Sequence, residues 1–284
     1  MSRILIIGDH CALSDEIGAA LGKAALPLEY AAGHADALTR LRMRSFGVVI
    51  TSCDSALQDD LSLLAEMRLI RPGLKCIALA RQSSPEEVIA ALRAQVFACY
   101  APPFSAAEIA RVAVYAATDN EWSDDIEVLS AKPEWLSVRV HCRLLTAERL
   151  LTFERELTAL LSEQTRREMM QALREILMNA MEHGGELNPE RTVEVKAIRT
   201  ARSFVFYVHD PGSGFRMDQL KHAAIANPPG SPVAHILERE KAGMRPGGYG
   251  LLVASRTVDE LIFNEIGNEV LLIKYLPGNP ADTT

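Results

Sequence analysis

The run Phe204-Val205-Phe206-Tyr207-Val208-His209 and the stretch it leads into, Asp210-Pro211-Gly212-Ser213-Gly214-Phe215, decide how this chain is read. A short apolar and aromatic run of this kind specifies a strand. The strand ends at a carboxylate, Asp210, followed by a proline and two glycines. A buried carboxylate at a strand end can accept a hydrogen bond from an exocyclic amine of the kind adenine carries. Gly212 and Gly214 let a bound base and ribose approach the backbone without meeting a Cβ. The same residues also make a plain Asp-Pro-Gly turn, so the reading depends on what lies on either side.

Upstream is Leu173-Arg174-Glu175-Ile176-Leu177-Met178-Asn179-Ala180-Met181-Glu182-His183-Gly184, on a strongly helical stretch. Glu175 and Asn179 are four apart and share one helix face. The amide oxygen of Asn179 can ligate Mg²⁺, and Glu175 can accept a hydroxyl proton or orient an attacking group. By itself such a pair is more often a polar face meeting water. Downstream is Arg245-Pro246-Gly247-Gly248-Tyr249-Gly250-Leu251-Leu252-Val253-Ala254, where glycines lead directly into an apolar helix. Backbone amides at a helix N-terminus, with the dipole behind them, bind phosphate. Alone this is equally a flexible loop before an ordinary helix. The Gly-Lys-Ser/Thr ending of a P-loop is missing.

Taken in order, the three stretches are more specific than any one of them. An acid–Asn helix, then a strand ending in Asp-x-Gly-x-Gly, then Gly-x-Gly-Leu opening a helix resembles the three nucleotide-binding boxes of GHKL ATPases, over roughly Asp124 to Pro277. The resemblance implies a mixed sheet layered against helices and a site for ATP and Mg²⁺. It implies that Asn179 ligates Mg²⁺, that Asp210 holds adenine, and that Gly212, Gly214, Gly248, Gly250 and Leu251 line the nucleotide. Glu175 is implied as the catalytic base, and Phe215 to Met244 as the segment containing a mobile lid, with its Pro/Gly-rich part at Asn227-Pro228-Pro229-Gly230.

Histidine kinases of this class carry a phosphorylatable His on a helix hairpin before the domain. Here His141 sits at a strand end without the acidic neighbour of that motif, and His183 reads as a helix C-terminal group. Two leading strands, Asn179–Gly184 and the short Gly248–Leu251 box are more similar to anti-sigma-factor serine kinases. That resemblance implies phosphoryl transfer to a Ser or Thr of a small antagonist (anti-anti-sigma-like) protein, binding of a sigma factor, and a homodimer. An ATP-responsive binding module without transfer and a histidine-kinase remnant remain alternatives.

Before the first box the pattern differs. In the first ~120 residues short apolar runs (Ile4–Ile7, Leu28–Ala31, Val48–Thr51, Cys76–Ala80, Phe97–Ala101) alternate with amphipathic segments (Leu13–Lys23, Ala35–Met43, Leu61–Arg68, Pro85–Arg93), which specifies a doubly wound parallel sheet. This half resembles a response-regulator receiver. Gly8-Asp9 stands where receivers carry an acidic pair, Ser52 where they carry the acceptor Asp, Ala80 at the hydroxyl position and Pro102 at the lysine. One carboxylate and no lysine cannot hold Mg²⁺ and a phosphoryl group, so the expectation is a receiver fold that is not phosphorylated by the usual route. Asp54 and Asp59 read as solvated acids, and Pro102-Pro103 as a cis peptide.

The fold class expected is therefore α/β: a flavodoxin-like, receiver-like domain over 1–119, a linker at Ala117–Ser123, and a GHKL α/β sandwich over 124–278. In the second half strands are expected at Ile126–Leu129, Leu136–Val140, Val193–Arg199, Phe204–His209, Glu260–Asn264 and Glu269–Tyr275, and helices at Ala147–Leu161 and Thr165–Met181. The 284 residues are 48% hydrophobic and 24% charged, with net charge −7. That balance gives no electrostatic reason to expect nucleic acid or a membrane surface as partner. No apolar run approaches the ~20 residues of a spanning helix, and the start fits no signal peptide. The five cysteines lack metal spacing and suit reduced thiols. The expectation is a cytoplasmic, bacterial, two-component-like signalling protein.

Overall fold

The computed structural model describes residues 2–8, 12–22, 24, 26–82, 84–119, 125–158, 161–215, 220, 223–228, 230–241 and 248–276. The chain divides into two compact units, Met1–Asp124 and Asp125–Thr284. Asp9, Cys11, residues 120–124 around the expected linker, parts of the expected lid and Arg245-Pro246-Gly247 lie outside the described residues.

The first unit is a parallel sheet of β1 (Ile4–Ile7), β2 (Leu28–Ala31), β3 (Val48–Ile50), β4 (Lys75–Leu79) and β5 (Ala98–Tyr100), in the order β2-β1-β3-β4-β5. Every residue of β1, β3, β4 and β5 is buried, as expected where helices cover both faces of a parallel sheet. The connecting helices are α1 (Ala12–Gly22), α2 (His34–Met43), α3 (Leu57–Ile70), α4 (Pro85–Arg93) and α5 (Ala106–Thr118). Ser84 caps α4 by accepting the Glu87 N–H at 3.2 Å, with proline in the first turn, and Ser105 caps α5 through the Glu108 N–H. These are the contacts expected of N-cap serines. This strand order is that of the doubly wound receiver class, with its crevice where β1 and β3 diverge. Pro102-Pro103 is cis.

The second unit is a six-stranded sheet, β10-β11-β9-β8-β7-β6. Its strands are β6 (Ile126–Lys132), β7 (Trp135–His141), β8 (Thr192–Arg199), β9 (Ser203–His209), β10 (Glu260–Phe263) and β11 (Glu269–Tyr275). Every paired neighbour is antiparallel, which corrects the mixed sheet expected from the family resemblance. The reason is topological. Two helices, α6 (Leu144–Leu157) and α7 (Glu163–Asn179), join β7 to β8 and return the chain to the end it left. β10 does run the same way as β9, but β11 lies between them.

Period-two alternation buries Val193, Val195 and Ala197 of β8 and Phe204, Phe206 and Val208 of β9. Against this side packs α7, whose buried stripe is Met169, Ala172, Leu173, Ile176 and Leu177, the 3–4 spacing of an amphipathic helix. Lys274 of β11 ties that helix down through Glu168 at 2.9 Å and Asp259 at 3.3 Å. α6 begins three residues before its sequence reading because Asp125 accepts from Thr146 Oγ1 and pairs with Arg143, both at 3.2 Å. The helix expected to reach Met181 stays α-helical only to Asn179 and continues as a π-helical turn, Ala180–Gly184. Among the described residues two α-helices follow the glycine stretch: α8 (Ala234–Lys241), which the sequence reading did not contain, and α9 (Gly250–Thr257).

Candidate functional site

A cavity of about 670 Å³ opens between α7, the end of β9, the β10–β11 turn and the start of α9. Glu175, Asn179, Asp210, Gly212, Gly214, Gly248, Gly250 and Leu251 all lie on its wall. Residues from three separate stretches of sequence are thus brought to one place.

The π turn shapes the first wall. The Gly185 N–H closes an i→i+5 bond to the Ala180 carbonyl at 2.8 Å, widening the helix where such turns often mark functional sites. The wider turn puts Glu182 and His183 on the cavity wall and lays Gly184 on Asp210. A Cβ at Gly184 would stand 2.2 Å from Asp210 Oδ1, so only glycine fits there.

Asp210 is set by backbone on both sides. Its own N–H donates to the Asn268 carbonyl at 3.0 Å, and the Gly212 N–H donates to its Oδ1 at 2.8 Å. Burial raises the Asp210 carboxyl above its ordinary range, opposed by the Gly212 N–H and by His209. Gly214 has φ +74, and a Cβ there would meet the Ile266 carbonyl oxygen at 2.2 Å; the Asp-Pro-Gly loop therefore locks into the β10–β11 turn. That turn is itself built on Asn264 Oδ1, which accepts from the backbone N–H groups of Gly267, Asn268 and Glu269.

The third wall is the head of α9. A Cβ on Gly250 would lie 2.5 Å from Glu175 Oε2 and 3.6 Å from Asn179 Nδ2. The first turn of α9 therefore sits directly over the Glu–Asn pair of α7. No side chain caps α9, which leaves its first amides without that partner. A half-buried carboxylate with raised proton affinity, closely approached backbone and a helix N-terminus fit a purine nucleotide, and the volume is that of a small-molecule site. Among the described residues no group of three His, Cys, Asp or Glu could hold a metal ion. Mg²⁺ arriving with phosphates needs only one or two protein oxygens, and the amide oxygen of Asn179 fits that need.

Sequence reasoning missed Glu182, Asn268, Glu269 and Arg239 as wall residues and read His183 only as a helix end. The available signal for the first was the unbroken run from Asn179 to Gly184. Nothing local marked Arg239, which reaches the wall from α8.

In the receiver-like unit Ser52 stands at the end of β3, its Oγ accepting the Asp54 N–H at 3.1 Å. Asp54 and Asp59 are exposed. The buried acid is Asp60, 1% exposed, held by Ser55 Oγ at 2.8 Å to each oxygen and by His34 Nε2 at 3.1 Å. Burial raises its proton affinity against those donors. Cys53, Cys76, Cys99 and Cys142 make no disulfide.

Residues 143–274 match the model of the histidine kinase-like ATPase domain. No curated protein matches the chain. Among solved structures, a CheY-like response regulator receiver domain protein from Methanospirillum hungatei JF-1 is 23% identical, with TM-score 0.37, over 40% of this chain and 92% of that one. A Francisella receiver domain is 18% identical, with TM-score 0.39, over 43% of this chain and 100% of that one. A Thermotoga maritima response regulator is 16% identical, with TM-score 0.37, over 42% and 100%. No helix among the described residues is long and apolar enough to cross a membrane. Residues 143–274 thus form a histidine kinase-like ATPase domain, which implies ATP binding and a signalling role, after an N-terminal unit whose strand order is that of a doubly wound α/β sheet.

Proposed function

We propose that this is an ATP-dependent serine/threonine protein kinase of the anti-sigma-factor type, acting in partner switching. The observation that carries the reading is the contact between Gly250 at the head of α9 and Glu175, with Asn179 one turn further along the same face. It supports the reading by bringing a carboxylate and an amide to the head of α9, on the cavity that Asp210 also lines. Asp210 accepts from the adenine amine, and the first amides of α9 face the phosphate oxygens. Asn179 holds Mg²⁺, which when bound neutralises phosphate charge. Glu175 takes the proton from the Ser or Thr hydroxyl as that oxygen attacks the γ-phosphorus and ADP leaves. The partners of this reading are a small antagonist protein, as phosphoryl acceptor, and a sigma factor, with the kinase as a homodimer in the cytoplasm.

A second reading, an ATP-responsive binding module without transfer, is favoured by the first unit, where a receiver fold persists with Ser52 at the acceptor position. Radiolabelled ATP with candidate antagonist proteins, including those encoded next to this chain, separates the two. The kinase reading expects label on an antagonist with wild type and none with Glu175→Ala. Tight ATP binding with no Glu175-dependent label would leave the binding module.

A further inference from the structure

We propose that Asn264, in the turn between β10 and β11, is the positioning residue that sets the Asp210 carboxylate for reading a purine amine; this rests on the proposed nucleotide site. The sequence marks Asn264 only as the end of a strand, and none of the three stretches that meet at the cavity contains it. A carboxylate that selects one base must be held still, because a hydrogen bond weakens steeply as its length and angle drift. Asp210 is one residue past the last paired position of β9, His209. Sheet pairing therefore stops just short of it. The turn takes over there: the Asp210 N–H donates to the Asn268 carbonyl at 3.0 Å.

One side chain builds that turn and reaches Asp210 by two routes. Asn264 Oδ1 accepts from the successive N–H groups of Gly267, Asn268 and Glu269 at 2.7, 3.1 and 3.2 Å. This fixes the peptide whose carbonyl holds Asp210. Asn264 Nδ2 donates to Asn268 Oδ1 at 2.9 Å, and Asn268 Nδ2 points in turn at the Gly212 carbonyl, 3.5 Å away. Gly212 is the residue whose N–H donates to Asp210 Oδ1 at 2.8 Å. The backbone route acts on the main chain of Asp210, and the side-chain route acts on its carboxylate.

Turn and loop are also pressed together closely enough to transmit a displacement. Gly214 and Gly267 each lie against the backbone of the other segment. A Cβ on Gly214 would fall on the Ile266 carbonyl oxygen, and a Cβ on Gly267 on the Phe215 carbonyl oxygen. Both residues have positive φ, +74 and +87. The rings of Phe215 and Phe263 meet edge to face, centroids 5.2 Å apart at 70°. A turn that only joined β10 to β11 would have no use for an amide relay running to a glycine 56 positions earlier. A base-reading group needs such a supporting shell to keep its geometry.

The test is calorimetric titration of the full chain with Mg-ATP and with Mg-inosine triphosphate, which carries an oxygen where ATP carries the amine. Asn264→Ala is expected to weaken ATP by about tenfold and inosine triphosphate by less than about twofold, so that the preference collapses. Asn264→Asp keeps the acceptor for the three amides and is expected to recover most of the preference. Asn268→Ala keeps the carbonyl that holds Asp210 and removes only the side-chain route; an ATP-selective loss of about threefold is expected. Equal losses for the two nucleotides in Asn264→Ala would mean a merely structural turn and overturn the proposal, as would unchanged ATP affinity. Should Asn264→Ala fail to fold, Asn268→Ala decides by the same criteria. Wild type that binds neither nucleotide, or both alike, would instead bring down the nucleotide-site reading, and this inference with it.

Discussion

The two units of this chain treat their acidic side chains in opposite ways. In the first, Asp60 is turned into the interior and occupied by Ser55 and His34, while Asp54 and Asp59 are left in solvent. None stands at the end of β3, where Ser52 sits. In the second, Asp210 stands at a strand end, holds one backbone N–H and faces a cavity shared with Glu175 and Asn179. Both units keep their sheets because buried apolar runs specify them. The site chemistry depends on a handful of polar positions that those runs do not constrain, so a fold and its chemistry separate within one chain.

The contrast is broken most sharply at glycines that serve the second unit. Gly184→Ala would drive a Cβ into the Asp210 carboxylate. Mg-ATP affinity is expected to fall by about 100-fold, on the order of 3 kcal/mol, with the first unit's unfolding transition unchanged; calorimetry and a denaturant titration read the two effects.

The second unit also holds a buried acid with no donors. Glu154 of α6 is 0% exposed and both its carboxylate oxygens lack hydrogen-bond partners, so burial pushes its carboxyl up to about 8. A raised folded-state value means that stability is fully present below the unfolded value near 4.5 and is lost as pH rises through about 8. Glu154→Gln is expected to flatten that decline and to stabilise the second unit by about 2 kcal/mol at pH 9. Urea midpoints at pH 5 and pH 9 check it, and an unchanged pH slope would show that Glu154 is not the group responsible.

A smaller effect is expected in the first unit. Lys75 is 3% exposed, and its Nζ donates to the Ala116 carbonyl at 2.7 Å and to the Asp119 carbonyl, fastening the end of α5. Lys75→Met removes those buried hydrogen bonds, which costs about 1.5 kcal/mol. The loss should appear in the first unit's unfolding with ATP affinity unaltered.

The smallest effect is a null result. Incubation with a small phosphodonor and Mg²⁺ should leave the intact mass unchanged, because Ser52 cannot form the aspartyl phosphate. A hydroxylamine-sensitive adduct in the first unit would contradict that.

Much of this architecture was legible in sequence. β1 and β11 fall at Ile4–Ile7 and Glu269–Tyr275 as read, because an unbroken or alternating apolar pattern specifies a strand without outside help. The three stretches that meet at the cavity were legible through their order along the chain, since each alone reads equally as a turn, a loop or a polar helix face. What escaped depends on contacts remote in sequence. The π turn at Ala180–Gly184 lies against Asp210, and α8 is fixed by Asn227 and Tyr249 on either side of it. Asp60 and Glu154 look like ordinary helical acids until the packing around them is known.

In the proposed function Asp210, Glu175/Asn179 and the head of α9 form one nucleotide site. Titration of wild type and Asp210→Asn with Mg-ATP and Mg-GTP tests it most directly. Wild type is expected to bind ATP saturably and in preference to GTP, and Asp210→Asn to lose about tenfold or more, with the preference for ATP reduced. Binding that does not distinguish the two nucleotides, or that is the same in both proteins, would contradict it.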